Sequence, residues 1–169
     1  KSIAKQTIKN IIKFLSELTI FKKLSLVFQT YSSENIRHIR LSNHDYYFIN
    51  KNTITNYRID TFFTKEPETI NWINNFKSNS NFWDIGANIG LYSIYSAKVK
   101  NRKVVSFEPS INNLEILSKN INFNNLSQQI LIAPIALTNK TGAEYLFCSS
   151  KLGGSAHSTF GYEIDQKGN

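Results

Sequence analysis

Methionine is absent from all 169 residues, and the chain carries only one cysteine, three prolines and seven glycines. Without a starting methionine the chain is expected to begin inside a longer reading frame, and the closing "YEIDQKGN" does not read as a natural end. A lone Cys148 excludes an intrachain disulfide and fits a reducing compartment, so the cytoplasm is the expected location. No apolar run approaches the roughly 20 residues that span a bilayer, so a soluble chain is expected. Acidic residues are scarce as well, 12 against 20 Lys and Arg, for a net charge of +8. Such a charge raises the question of a polyanionic partner. The lysines, however, are spread along the chain beside Asn and Ile, with no basic stripe interleaved with aromatics. Compositional bias accounts for the charge, and no nucleic-acid partner is expected. The local run "KVKNRK", Lys98 to Lys103, suits the negative end of a helix dipole.

What is present is enough apolar residue, 41%, to bury one sizeable core. Residues 2–28 predict one or two helices, with Ile8, Ile11, Ile12, Leu15 and Leu18 at helical spacing and Lys5, Lys9 and Lys13 on another stripe. A basic amphipathic helix of this kind suits packing on its own domain or on a second subunit, or else weak contact with an anionic membrane surface. The next stretch, "IRLSNHDYYFINKNTITNYRIDTFF", is rich in β-branched and aromatic residues and interrupted by "NKNT". It predicts a hairpin or two short strands outside the main sheet. In "KEPETINWINNF" a proline near the start, early acidic residues and the stripe Ile70, Ile73, Phe76 predict a helix.

From Phe82 short apolar runs alternate with helical segments: "FWDIG", "LYSIYSAKV", "KVVSFEP", "SINNLEILSKNINF" and "QILIAPIAL". This β-α-β-α-β order predicts the α/β class, a parallel sheet of strands buried on both faces. Leu91, Ile94 and Tyr95 should share the inner face of the first helix. In the second, Ile111, Leu114, Leu117 and Ile121 should do so, with Ser110 as its cap.

In a sheet of this kind, ligands bind beyond the carboxyl ends of the strands, and the first strand-to-helix turn approaches them most closely. Residues 84–90, "DIGANIG", are that turn. Gly86 permits a sharp turn without a Cβ, Gly90 permits close packing of the helix start against strand or ligand, and Asn88 is the non-glycine residue that best tolerates left-handed backbone. Glu108 ends the next strand about twenty residues on, where a carboxylate can accept both hydroxyls of a ribose. A nucleoside-containing cofactor follows. Asn88 stands where pyrophosphate loops have glycine, and Asp84 would repel a pyrophosphate but attract an ammonium, which favours S-adenosylmethionine over NAD or FAD.

These segments resemble the FkbM-type methyltransferases, class I enzymes dependent on S-adenosylmethionine. The residues that carry the resemblance are "TFFTKEPETINWI" (61–73), "FWDIGANIGLYSIYSA" (82–97), "VVSFEPS" (104–110), "NNLEILSKNINFNNL" (112–126) and "IAPIALTNKTG" (132–142). The resemblance implies a Rossmann-like class I methyltransferase fold, with Asp84, Gly86, Asn88 and Gly90 cradling the methionine part of the cofactor. It further implies that Glu108 holds the ribose, that Ala136 borders the adenine and that Glu66 lies near the cofactor; Ala87 and Pro109 complete the implied cofactor-binding set. The implied reaction is methylation of a hydroxyl oxygen on a sugar or secondary metabolite, with a small-molecule or glycan acceptor.

Family members continue into a strand with a Lys-Ile-Asp-Val-Glu-Gly type motif, which this sequence does not reach. The expected organisation is therefore an N-terminal helical and β extension, residues 1–63, and the N-terminal half of a Rossmann-like domain, residues 64–169, truncated after the third core strand. No catalytic residue is assigned; His157 in "GGSAHSTFG" is the one base candidate. His38, His44 and Cys148 lack metal-ligand spacing, so no metal site is expected. Two other readings stay open: a nicotinamide or flavin oxidoreductase, and a non-catalytic Rossmann-like binding module.

Overall fold

A computed structural model describes residues 2–17, 22–26, 35–41, 43–77 and 80–161. The chain divides into two compact units, Lys1–Asn35 and Ile36–Asn169. The first holds helix α1 (Ser2–Glu17) and a helical segment over residues 22–26. Ile8, Ile11 and Ile12 of α1 are all more than half exposed, with Phe14. Leu18 lies outside the described residues. No described helix is long and apolar enough to cross a membrane.

The second unit opens with an antiparallel hairpin, β1 (Ile36–Leu41) and β2 (His44–Ile49), in its own two-stranded sheet. The expected outlying hairpin is there, but its turn falls before His44, and "NKNT" does something else. Asn52 caps helix α2 (Thr53–Asp60): its side chain accepts from the backbone N–H groups of Ile54 and Thr55, while Thr55 Oγ1 accepts from Asn52 N at 2.9 Å. Reciprocal capping of this kind outweighs the β preference of Thr and Ile, so the β-rich reading of residues 53–60 is corrected to helix. The hairpin and α2, grouped by sequence with the N-terminal extension, lie in the same compact unit as the main sheet.

Polar side chains dock the hairpin. Asn120 Oδ1 accepts from Ile49 N at 2.8 Å, and Asn124 both accepts from Tyr47 N (3.1 Å) and donates to Tyr47 O (2.6 Å). Two asparagines thus satisfy an edge strand that would otherwise carry unpaired groups. Beneath the hairpin, Tyr46 and Phe48 are fully buried in an aromatic cluster with Phe62, Phe63 and Tyr95. Lys98, from the "KVKNRK" run, donates to the carbonyl of Asp45 and lies over the Tyr46 ring at 5.4 Å. Arg102 is buried against Phe76, 5.2 Å from its ring. Both cations are anchored inward.

Helix α3 (Pro67–Asn74) starts with its proline in the first turn, buries Ile73 and rests Ile70 and Phe76 on the core. Then come β3 (Phe82–Ile85), α4 (Leu91–Lys100), β4 (Val104–Phe107), α5 (Ile111–Phe123) and β5 (Ile130–Ala133). The three strands are parallel in the order β3-β4-β5. Right-handed crossovers in one direction place both helices on the same face. That face buries Phe82, Asp84, Val104, Ser106 and Ile130. On the other, Trp83, Ile85 and Leu131 are 61%, 64% and 65% exposed, so the expectation of strands buried on both faces does not hold for the described residues.

In α4, Ile94 and Tyr95 are buried and Leu91 partly so, as the spacing predicts. In α5 the inner face is shifted: Asn113, Ile116, Leu117, Asn120 and Ile121 are buried, whereas Ile111 is 81% exposed. A stripe that includes two asparagines is invisible to an apolar count. Ser110 occupies the N-cap of α5 but its side chain makes no capping bond.

Candidate functional site at the carboxyl end of the parallel strands

The turn after β3 has the left-handed conformations its residues predict: φ is +81° at Gly86, +52° at Asn88 and +85° at Gly90. Gly86 N and Ala87 N both donate to Phe107 O at 2.9 Å, pinning the loop to the end of β4. The two glycines serve different purposes. No atom lies within 4 Å of where a Cβ on Gly86 would sit, so the backbone there faces open space. At Gly90 the same Cβ would lie 2.4 Å from Leu117 Cδ1, so this glycine serves the packing of α4 on α5.

Glu108, 5% exposed, terminates β4 with its carboxylate turned onto that loop. Oε2 accepts from Asn88 N at 2.8 Å; Oε1 accepts from Ser110 N at 2.9 Å and from Asn113 Nδ2 at 3.3 Å. An ionised carboxylate offers about four lone-pair sites, so three internal bonds leave capacity for a ligand hydroxyl.

Asp84 lies elsewhere. Its carboxylate accepts from Ser93 Oγ of α4 at 2.5 Å, and Ser93 also bonds Ser106 of β4 at 2.7 Å. Burial pushes the Asp84 carboxyl up to about 6, only partly offset by the Ser93 hydrogen bonds, with the Glu108 charge adding to the rise. The acid expected to attract an ammonium braces strand against helix through Ser93.

Gly86, Asn88, Glu108, Pro109 and Ala136 come together around one cavity of about 230 Å³. Asp84, Ala87 and Gly90 are buried and do not line it. Glu66 lines a separate depression of about 50 Å³ with Arg58, Lys65 and Tyr92, and accepts from Tyr92 Oη at 2.9 Å. Among the described residues, no Lys or Arg lines the larger cavity, and Glu108 is the one acidic residue that does.

More of the cavity wall comes from Asn113, which sequence reasoning missed, and from the segment that holds His157, which it singled out only for that histidine. Asn113 lines it from α5, and Ser155, Ala156, His157 and Ser158 line it from the connection between β6 (Leu146–Phe147) and β7 (Thr159–Phe160), an antiparallel pair. His157, the base candidate, has φ +65° and faces the cavity together with Pro109 and Ala136. The paired glycines of "GGSAHSTFG", which mark close backbone approach, are the further signal that the whole segment meets the cavity. Of the other singled-out residues, His38 pairs with Asp45 at 2.7 Å and Cys148 is exposed.

No protein-family model matches the chain, and no curated protein matches it. Solved structures similar to it include Pyrococcus horikoshii TYW2 in complex with MeSAdo, at 17% identity and TM-score 0.45, covering 66% of this chain and 40% of that one. The M. jannaschii tRNA m1G37 methyltransferase is similar at 18% identity and TM-score 0.40, with 60% and 29% covered. The SAM-dependent methyltransferase from Agrobacterium tumefaciens is similar at 11% identity and TM-score 0.42, with 60% and 32% covered. The chain spans less than half the length of each of these proteins.

Proposed function

We propose that this chain carries the cofactor-binding part of an S-adenosylmethionine-dependent methyltransferase of the FkbM type, acting on a hydroxyl oxygen of a sugar or secondary metabolite. The observation that carries the reading is the cavity at the carboxyl end of β3 and β4. Gly86, Asn88, Glu108, Pro109 and Ala136, drawn from three separated segments, share it. When bound, S-adenosylmethionine supplies an electrophilic methyl group on a sulfonium. The chain's part is to bind and orient it.

In this reading Glu108 takes a ribose hydroxyl, the open backbone at Gly86 admits the ligand to van der Waals contact, and Pro109 and Ala136 flank the base. A cavity whose described lining has no Lys or Arg supports a cofactor without phosphate over NAD or FAD, whose pyrophosphate calls for positive charge or free N–H groups. The backbone N–H of Asn88, which such a phosphate would use, is already bonded to Glu108. His157 belongs to the nucleoside side of the site and is assigned no role as base. At about 230 Å³ the cavity is smaller than the roughly 300–1,000 Å³ usual for a whole small-molecule ligand, and it suits the nucleoside end of the cofactor.

Thermal unfolding with S-adenosylhomocysteine, NAD and FAD in parallel tests this. A ligand at 100 times its Kd stabilises the folded state by about 2.7 kcal/mol, a readily measured rise in Tm. S-adenosylhomocysteine alone should produce it; a rise with NAD or FAD and none with S-adenosylhomocysteine would select the oxidoreductase reading. Acceptor class is then read from transfer of labelled methyl groups to glycans and small hydroxyl compounds, with tRNA, the substrate named for the M. jannaschii neighbour, as the contrasting acceptor.

A further inference from the structure

The segment between β6 and β7 is held in a way that its sequence alone does not require. Its tip, Gly153–Ser155, is buried, and side chains from other segments hold its backbone groups. Asn52 Nδ2 donates to Gly153 O at 2.9 Å, and Arg58 Nε donates to Gly154 O. Gly154 N donates to Asn113 Oδ1 at 2.7 Å, and Ser155 O accepts from Asn88 Nδ2 at 2.6 Å and Asn113 Nδ2 at 3.2 Å. Four side chains, from the starts of α2 and α5, the body of α2 and the glycine loop, converge on three consecutive residues.

Both glycines are there for sterics. A Cβ on Gly153 would lie 2.4 Å from Ile116 Cδ1 and 2.9 Å from Asn112 O; on Gly154, at φ +88°, it would lie 3.0 Å from Thr55 Cγ2. Immediately after this tip, Ala156, His157 and Ser158 form a wall of the cavity.

Two of the four anchors are also parts of the site. Asn88 is in the loop that faces the cavity, and the Asn113 amide that holds Ser155 O also donates to the Glu108 carboxylate. We infer that residues 153–158 are a clamp on the nucleoside end of the ligand, with Asn113 as the positioning residue that couples the clamp to Glu108. This rests on the reading of the cavity as a nucleoside cofactor site. Coupling of this kind is reciprocal: if docking of the clamp favours the ligand by some factor, the ligand favours docking of the clamp by the same factor.

The reciprocity supplies the experiment. Hydrogen exchange of the amides of residues 154–158 is measured on the full chain with and without saturating S-adenosylhomocysteine, and the affinities of S-adenosylhomocysteine and of adenosine are measured on the wild type, Gly153→Ala and Asn113→Ser. The clamp predicts at least tenfold slower exchange across the segment in the liganded wild type. It also predicts at least a tenfold loss of affinity in each folded variant, equal for S-adenosylhomocysteine and adenosine because both present the nucleoside. Asn113→Ser removes the two bonds to the clamp, together with the one to Glu108, without adding bulk, so a Gly153→Ala variant that fails to fold still leaves a test.

If the wild type binds S-adenosylhomocysteine but exchange of the segment is unchanged and Asn113→Ser binds within twofold of it, the clamp is overturned while the cofactor site stands. A loss for S-adenosylhomocysteine with none for adenosine also overturns it, since the segment would then act on the amino-acid end. If the wild type binds neither ligand, the clamp and the cofactor reading fall together.

Discussion

The carboxylate of Glu108 accepts the backbone N–H of Asn88 at 2.8 Å across twenty positions of chain, joining the end of β4 to the turn that follows β3. One acid therefore has two tasks: it holds the shape of the loop, and it faces the cavity that the loop borders.

Replacing Glu108 should consequently show in stability as well as in binding. Glu108→Gln keeps the volume but loses the charge, and its new NH₂ must face either Asn88 N or Ser110 N, each of which the carboxylate accepted. We expect a loss of about 1.5–3 kcal/mol in denaturant unfolding, the range for one hydrogen bond to a charged group. On the proposed function, S-adenosylhomocysteine affinity should fall at least tenfold in calorimetry, about 1.4 kcal/mol. Unchanged unfolding would show that the loop does not depend on this carboxylate.

Gly86→Ala and Gly90→Ala should separate. Both sites have positive φ, but only Gly90 has a neighbour in the way, Leu117 Cδ1 at 2.4 Å. Gly86→Ala should cost about 1–2 kcal/mol of backbone strain. Gly90→Ala should cost that and about 1–3 kcal/mol of overpacking in addition. Equal shifts in unfolding free energy would contradict the division of roles.

Asp84 makes stability depend on pH. Burial raises its folded pKa to about 6 from the ordinary 3.8, so between those values the folded protein binds more protons than the unfolded chain. Stability from this group is therefore fully present below about pH 4 and lost as pH rises through 6, a contribution on the order of 2–3 kcal/mol. Asp84→Asn retains an acceptor for Ser93 and should flatten the pH profile between 4 and 7. A profile identical to wild type in that window would refute the assignment.

Asn120 ties two parts together: its Oδ1 accepts from Ile49 N of the hairpin and its Nδ2 donates to Ile89 O of the glycine loop, both at 2.8 Å. Asn120→Leu fills the space but strands a buried donor and a buried acceptor, which should cost on the order of 3 kcal/mol or more. Urea unfolding provides the measurement, and a loss under 1 kcal/mol would mean that these backbone groups find other partners.

The glycine loop, the acid at the end of β4, the parallel β-α-β-α-β order and the helix at Pro67 were all legible in the sequence. Each depends on local chemistry: left-handed residues at a turn, runs of apolar residues, a proline in a first turn. Local chemistry could not say which way a side chain points once elements pack. Asp84 and Glu108 are both acids at strand ends, yet the first is turned under α4 against Ser93 and the second onto the loop at Asn88. Ile111 reads as core and is exposed, while Asn113 and Asn120, which carry no apolar signal, are buried because each satisfies a backbone group that belongs to a distant segment. The same long-range pairing brings Ser155, at the end of "GGS", and the three residues after it to the wall of a cavity begun at residue 86. Hydrogen bonds and contacts of that sequence separation leave no periodicity in the chain. They exist only once tertiary packing has brought the segments within reach.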